Sequence, residues 1–124
     1  MLKPVSHITS RSLRGNWHEL RDGHSYTLTR HLPVRFDVSA CAVFPVLRRG
    51  RLARQIRQDM WRMLQDLRGF SPVVQVSSHQ DGLLVRAGGR VMGRASGVEA
   101  RIHDFLNDPN RRARWIVCAR KAGQ

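Results

Sequence analysis

The feature that most constrains this chain is a change of hydrophobic period near its middle. Over residues 34–46 the apolar residues Val34, Phe36, Val38, Ala40, Ala42, Phe44 and Val46 fall on every second position. Arg35, Asp37, Ser39, Cys41 and Val43 fill the other parity. Successive strand side chains point to opposite faces, so this pattern predicts a half-buried strand. Over residues 48–68 the period becomes helical. With an advance of ~100° per residue, Leu52, Ala53, Ile56, Met60, Met63, Leu64 and Leu67 gather within an arc of ~120°. Gly69 follows as a helix stop, with Pro72 just beyond. A strand running into a core-facing helix predicts a layer of helix on a layer of sheet.

The rest of the chain extends that pattern. Val73, Val74 and Val76 begin a second strand, Gln80-Asp81-Gly82 makes a turn, and Leu83, Leu84 and Val85 form a third strand. Gly88-Gly89 ends or bulges it. Ser96 and Glu99 have capping-box spacing ahead of Val98, Ile102, Phe105 and Leu106. Asn107-Asp108-Pro109-Asn110 stops that helix, and Arg114 to Ala119 read as a last strand with Trp115 and Val117 on its core face. The expected fold is therefore α+β, a ferredoxin-like βαββαβ two-layer sandwich over residues 34–120. The Asp22-Gly23 turn adds an N-terminal β-hairpin over 14–31. Residues 1–13 are polar and are expected to be a flexible N-terminus, leaving 14–121 as a single domain.

Charge narrows the function. The chain carries 22 Lys+Arg against 9 Asp+Glu, a formal net charge of +13. All but Lys3 and Lys121 of those cations are arginines. A GC-rich bacterial genome would favour Arg over Lys, but it would not strip acids from one face of a helix. On the helix of residues 48–68, Trp61 lies ~180° from Leu52 with Arg54, Arg57 and Arg68 as angular neighbours. Arg51, Arg62, Gln58 and Gln65 complete that face, while Asp59 and Asp66 lie on the other flank. Trp and Arg dominate interface hot spots, and they also stack on bases and pair with phosphates. The competing expectation is that the N-terminal hairpin covers Trp61. A second basic cluster holds Arg111, Arg112, Arg114, Arg120 and Lys121. Strand parity places Arg114 and Arg120 with Ile116 and Cys118 on the open face of the sheet, beside Arg35, Asp37, Ser39 and Cys41. That face lacks the aromatics on which RNA-recognition sheets stack bases.

Several classes of chemistry find no support. No nucleophile elbow, phosphate-binding loop or dinucleotide fingerprint occurs, and paired carboxylates are absent, so no catalytic residue and no cofactor is expected. The six histidines lack metal-ligand spacing, and no C-x-x-C pair exists. Cys41 and Cys118 would come close if their strands were neighbours, but two reduced thiols are the expectation. No apolar run approaches the ~20 residues of a membrane span. Without an apolar leader at the start, the chain is expected in the cytoplasm. The leading expectation is a non-catalytic binding or adaptor protein offering its basic Arg/Trp helix face to an acidic protein partner. The runner-up is a sequence-tolerant nucleic-acid binder, RNA or DNA, acting through phosphate contacts. The third is a small regulatory domain that forms a homodimer through its sheet.

Overall fold

The computed structural model describes residues 8–93 and 95–121. Six strands form: β1 (Thr9–Ser12), β2 (His18–Arg21), β3 (Ser25–Thr29), β4 (Val38–Phe44), β5 (Ser71–His79) and β6 (Gly82–Arg90). Three helices accompany them: α1 (Arg49–Leu64), α2 (Val98–Leu106) and α3 (Pro109–Ala119). All six strands join one antiparallel sheet in the order β1-β2-β3-β5-β6-β4. Among the described residues, no helix is long and apolar enough to cross a membrane.

Register explains which face holds the core. Tyr26 pairs with Val76 and Leu28 with Val74. Val74 and Val76 pair in turn with Ala87 and Val85, which pair with Ala40 and Ala42. Cross-strand partners share a face, so these residues make one apolar sheet surface. Onto it α1 packs Leu52, Ala53, Ile56, Met60 and Leu64, all inaccessible to solvent. Met63 and Leu67 border that cluster, as the helical stripe predicts. α1 lies over β3 and β5, α2 lies against β4, and α3 packs on α1 and α2. Gly69, past the end of α1, has φ +70, a left-handed conformation suited to glycine.

The mixed α+β class stands, but the fourth strand of the expected ferredoxin-like unit does not form. Residues 109–119 are the helix α3. The reason lies in the turn before it. The Asp108 carboxylate accepts the Arg111 N–H at 3.0 Å, and Pro109 occupies the first turn, so the segment that stops α2 also starts α3. Strand parity would bury both Trp115 and Val117. Helical phase buries Trp115 and Ala119 and leaves Val117 62% exposed.

The N-terminal segment also differs from expectation. Asp22 organises the turn between β2 and β3, accepting the amides of His24 and Ser25 and the Ser25 hydroxyl. β3 then pairs with β5, so this pair is built into the main sheet rather than standing outside it. Thr9–Ser12, with no apolar alternation to announce them, form the edge strand β1; residues 1–7 lie outside the described residues.

Two local expectations are corrected. The strand alternation fails ahead of Val38, where Phe36 lies 4.1 Å from the Arg86 guanidinium instead of in the core. The capping box does not close either. Gly97 is the N-cap of α2, with φ +79, and Glu99 turns away to accept the Ser39 N–H of β4 at 2.8 Å. At the other end of β4, Arg112 of α3 donates to the Val43 carbonyl at 2.7 Å.

Candidate binding groove

Arg54, Arg57 and Trp61 stand three and four residues apart on α1, so they share one face. A short 3-10 turn at Arg14–Asn16 precedes β2 and delivers Trp17 to that face. The Leu13 amide donates to the Trp17 carbonyl at 2.7 Å and fixes the turn. The Arg57 guanidinium lies over the Trp17 ring, 4.5 Å from its centroid, and Arg30 approaches the same ring at 5.9 Å. Phe70, just past the Gly69 stop, folds back on α1 and stacks parallel to Trp61, with centroids 6.3 Å apart and planes 8° apart. Beside them His31 Nδ1 and Ser71 Oγ are hydrogen-bonded at 2.7 Å.

These residues enclose a cleft of about 310 Å³ lined by Trp17, Arg30, His31, Arg57, Trp61, Phe70, Ser71 and Pro72. A second hollow of about 330 Å³ is lined by Leu13, Arg14, Trp17, Leu28, Arg54 and Arg57. Both share the Trp17–Arg57 pair, so they form one groove with that pair at its midpoint. No carboxylate lines either part. Trp61 is not covered by the N-terminal strands, since it is 42% exposed.

Electrostatics reinforce this geometry. Among the described residues, Arg57 Nε is the buried side-chain nitrogen or oxygen left without a hydrogen-bond partner. Burial, followed by the charge of Arg54, pulls the Arg57 guanidinium below its ordinary pKa. Glu19, the acid beside Arg54, is committed elsewhere. It accepts the Tyr26 hydroxyl at 2.5 Å and Arg21 Nε at 3.2 Å, and it lies 3.9 Å from Arg54. Burial raises the Glu19 pKa, but the bonds from Tyr26 and Arg21 and the charges of Arg21 and Arg11 outweigh it, so the net shift is downward.

The other arginines singled out by sequence do not join this groove. Arg51 donates to the Cys118 carbonyl at 3.5 Å, and Arg62 lies 3.9 Å from Asp59. Arg68 is exposed past the end of α1, its carbonyl accepting the Met92 amide. The C-terminal cluster lies on a helix, not on the open face of the sheet, and much of it holds the fold together. Arg111 lies over Phe105 at 5.0 Å. Arg112 covers Phe44 at 4.0 Å and donates to the Leu106 and Val43 carbonyls. Arg114 Nη2 and Trp115 Nε1 both donate to Asp59 Oδ2, at 2.5 and 2.8 Å. Arg120 is exposed past the end of α3. Cys41 faces outward on β4 and Cys118 lies on α3; both thiols are free and exposed, and the neighbouring-strand arrangement does not arise.

Sequence reading missed Trp17, Arg30, His31, Phe70 and Ser71. Trp17 passed as an ordinary hairpin residue. Phe70 carried one usable signal, because an apolar residue just after a helix stop often folds back onto the last turns. Comparison with protein-family models, curated proteins and solved structures finds no match to this chain.

Proposed function

We propose that the protein is a non-catalytic binding module that holds an acidic segment of a partner protein in the groove along α1. The observation that carries this reading is a groove lined by two tryptophans, a phenylalanine and four arginines with no carboxylate among them. Trp and Arg in a concave, partly desolvated setting are the residues that carry most interface energy, and a net +13 steers acidic partners toward the molecule. A nucleic-acid ligand is the second reading, favoured by the exposed ring of Trp61. It is weakened because Arg112 and Arg114 are engaged internally, so the two basic clusters do not make one continuous phosphate track.

The test is affinity capture with nuclease treatment, comparing the parent chain with Trp61→Ala and Arg54→Gln. A nuclease-resistant acidic protein that both substitutions release supports the proposal. Captured material that vanishes with nuclease overturns it in favour of nucleic acid. Loss of the folded state in Trp61→Ala, seen by circular dichroism, would make Trp61 a packing residue and remove the basis of the reading.

A further inference from the structure

The deepest part of the groove has a more specific chemistry. Arg57 is held in place by its stack on Trp17, so it cannot swing out to water without giving up that contact. Its Nε is buried and unpartnered. A buried donor left unpaired is costly, and more so when it is charged. Native proteins seldom retain such a group unless something meets it. No acid of this chain does so: among the described residues, no ion pair forms to Arg57, and Glu19 is occupied by Tyr26, Arg21 and Arg54.

Resting on the reading of the groove as a protein-binding surface, we propose that Arg57 forms a seat for one carboxylate of the partner, an Asp or Glu side chain placed next to an aromatic residue. The carboxylate meets the Arg57 guanidinium from inside the groove and Arg30 from its rim. The neighbouring aromatic ring lies on the exposed face of Trp61, whose other face is backed by Phe70. A carboxylate is the acidic group a protein segment supplies, and its two oxygens match the planar guanidinium fork in a bidentate pair; a nucleic-acid phosphate is the alternative that the oligonucleotide probe tests.

The test is calorimetric titration of the full chain with a short synthetic peptide in which Glu residues flank a single Phe. The comparison probes are the same peptide with Gln for Glu, the same peptide with Ala for Phe, and a single-stranded oligonucleotide of equal charge. Binding to the Glu/Phe peptide is expected to weaken at least about tenfold with either altered peptide and with Arg57→Gln, and less with Arg57→Lys, which keeps the charge. Arg51→Gln serves as the surface control of equal charge change and is expected to bind like the parent. Equal weakening by Arg51→Gln and Arg57→Gln would show that net charge alone acts and would overturn the seat. So would tighter binding of the oligonucleotide, or no binding of the Glu/Phe peptide. If the seat fails while Trp61→Ala still releases a nuclease-resistant partner, the binding module stands and only the carboxylate seat falls.

Discussion

Replacing Asp59 by Ala tests both the docking of α3 and its helical state. The Asp59 side chain is 10% exposed and receives the Trp115 indole N–H at 2.8 Å and the Arg114 guanidinium at 2.5 Å on a single oxygen. Trp115 is inaccessible to solvent, so the substitution strands its N–H in the core, a loss of ~1–3 kcal/mol. The half-exposed arginines Arg114 and Arg62 add at most about 1 kcal/mol, because water and salt screen them. The sum is about 1–4 kcal/mol, equivalent to a drop in Tm on the order of 10 °C for a domain of this size. Asp59→Asn keeps an acceptor in place and should lose about half as much. Urea unfolding followed by far-ultraviolet circular dichroism reads the change as a lower midpoint at unchanged slope. A double-mutant cycle with Trp115→Phe isolates the shared bond, with a coupling of about 1–2 kcal/mol. If Asp59→Ala stays within ~0.5 kcal/mol of the parent, or the two substitutions simply add, the contact is not formed and α3 is not seated on α1 as described.

Other perturbations have equally definite outcomes. The single tyrosine, Tyr26, has its pKa raised from 10.0 to about 12 by burial and by its bond to Glu19. The unfolded chain therefore loses this proton first, and stability should fall as pH rises from 10 toward 12; phenolate absorbance should appear near pH 12 in the native protein and near 10 in urea. Glu19 shifts the other way, below 4.5. Its contribution is present above that value and is lost as pH falls through the lowered native value, so Glu19→Gln should flatten the acid limb of a stability profile. Gly69→Ala forces φ +70 on a residue with a Cβ, and that atom would meet Met92 side-chain atoms within 3 Å. Met92 is flexible and 62% exposed, so it can yield, and the loss should be the backbone strain of about 1–2 kcal/mol, measured by the same urea midpoint.

What sequence makes legible here follows the range of the interactions. The α1 stripe and the core parity of Val38, Ala42 and Phe44 are local patterns, and the structure buries them accordingly. The segment from Arg114 to Ala119 misleads because Trp115, Ile116 and Val117 favour strands by type. The deciding signal was Asp108-Pro109, a helix start that reads equally well as a helix stop. The groove was only half legible. Its α1 residues follow from one helical wheel and Phe70 from the helix stop beside it, but Trp17 and Arg30 reach them only once β3 pairs with β5, across about 50 residues of chain. The C-terminal charges were visible as charges, whereas their engagement with Asp59, Phe44 and the Val43 carbonyl depends on three-dimensional neighbours.

The two side chains that reach β4, Glu99 to the Ser39 amide and Arg112 to the Val43 carbonyl, have a consequence for assembly. A bare strand edge is a template on which another chain can lengthen the sheet. On β4 a newcomer would first have to displace an acid on the donor side and an arginine on the acceptor side. The remaining margin of the sheet is β1. Glu99 and Arg112 thus occupy two backbone groups of β4 that an incoming strand would need, the kind of covering that blunts a strand edge.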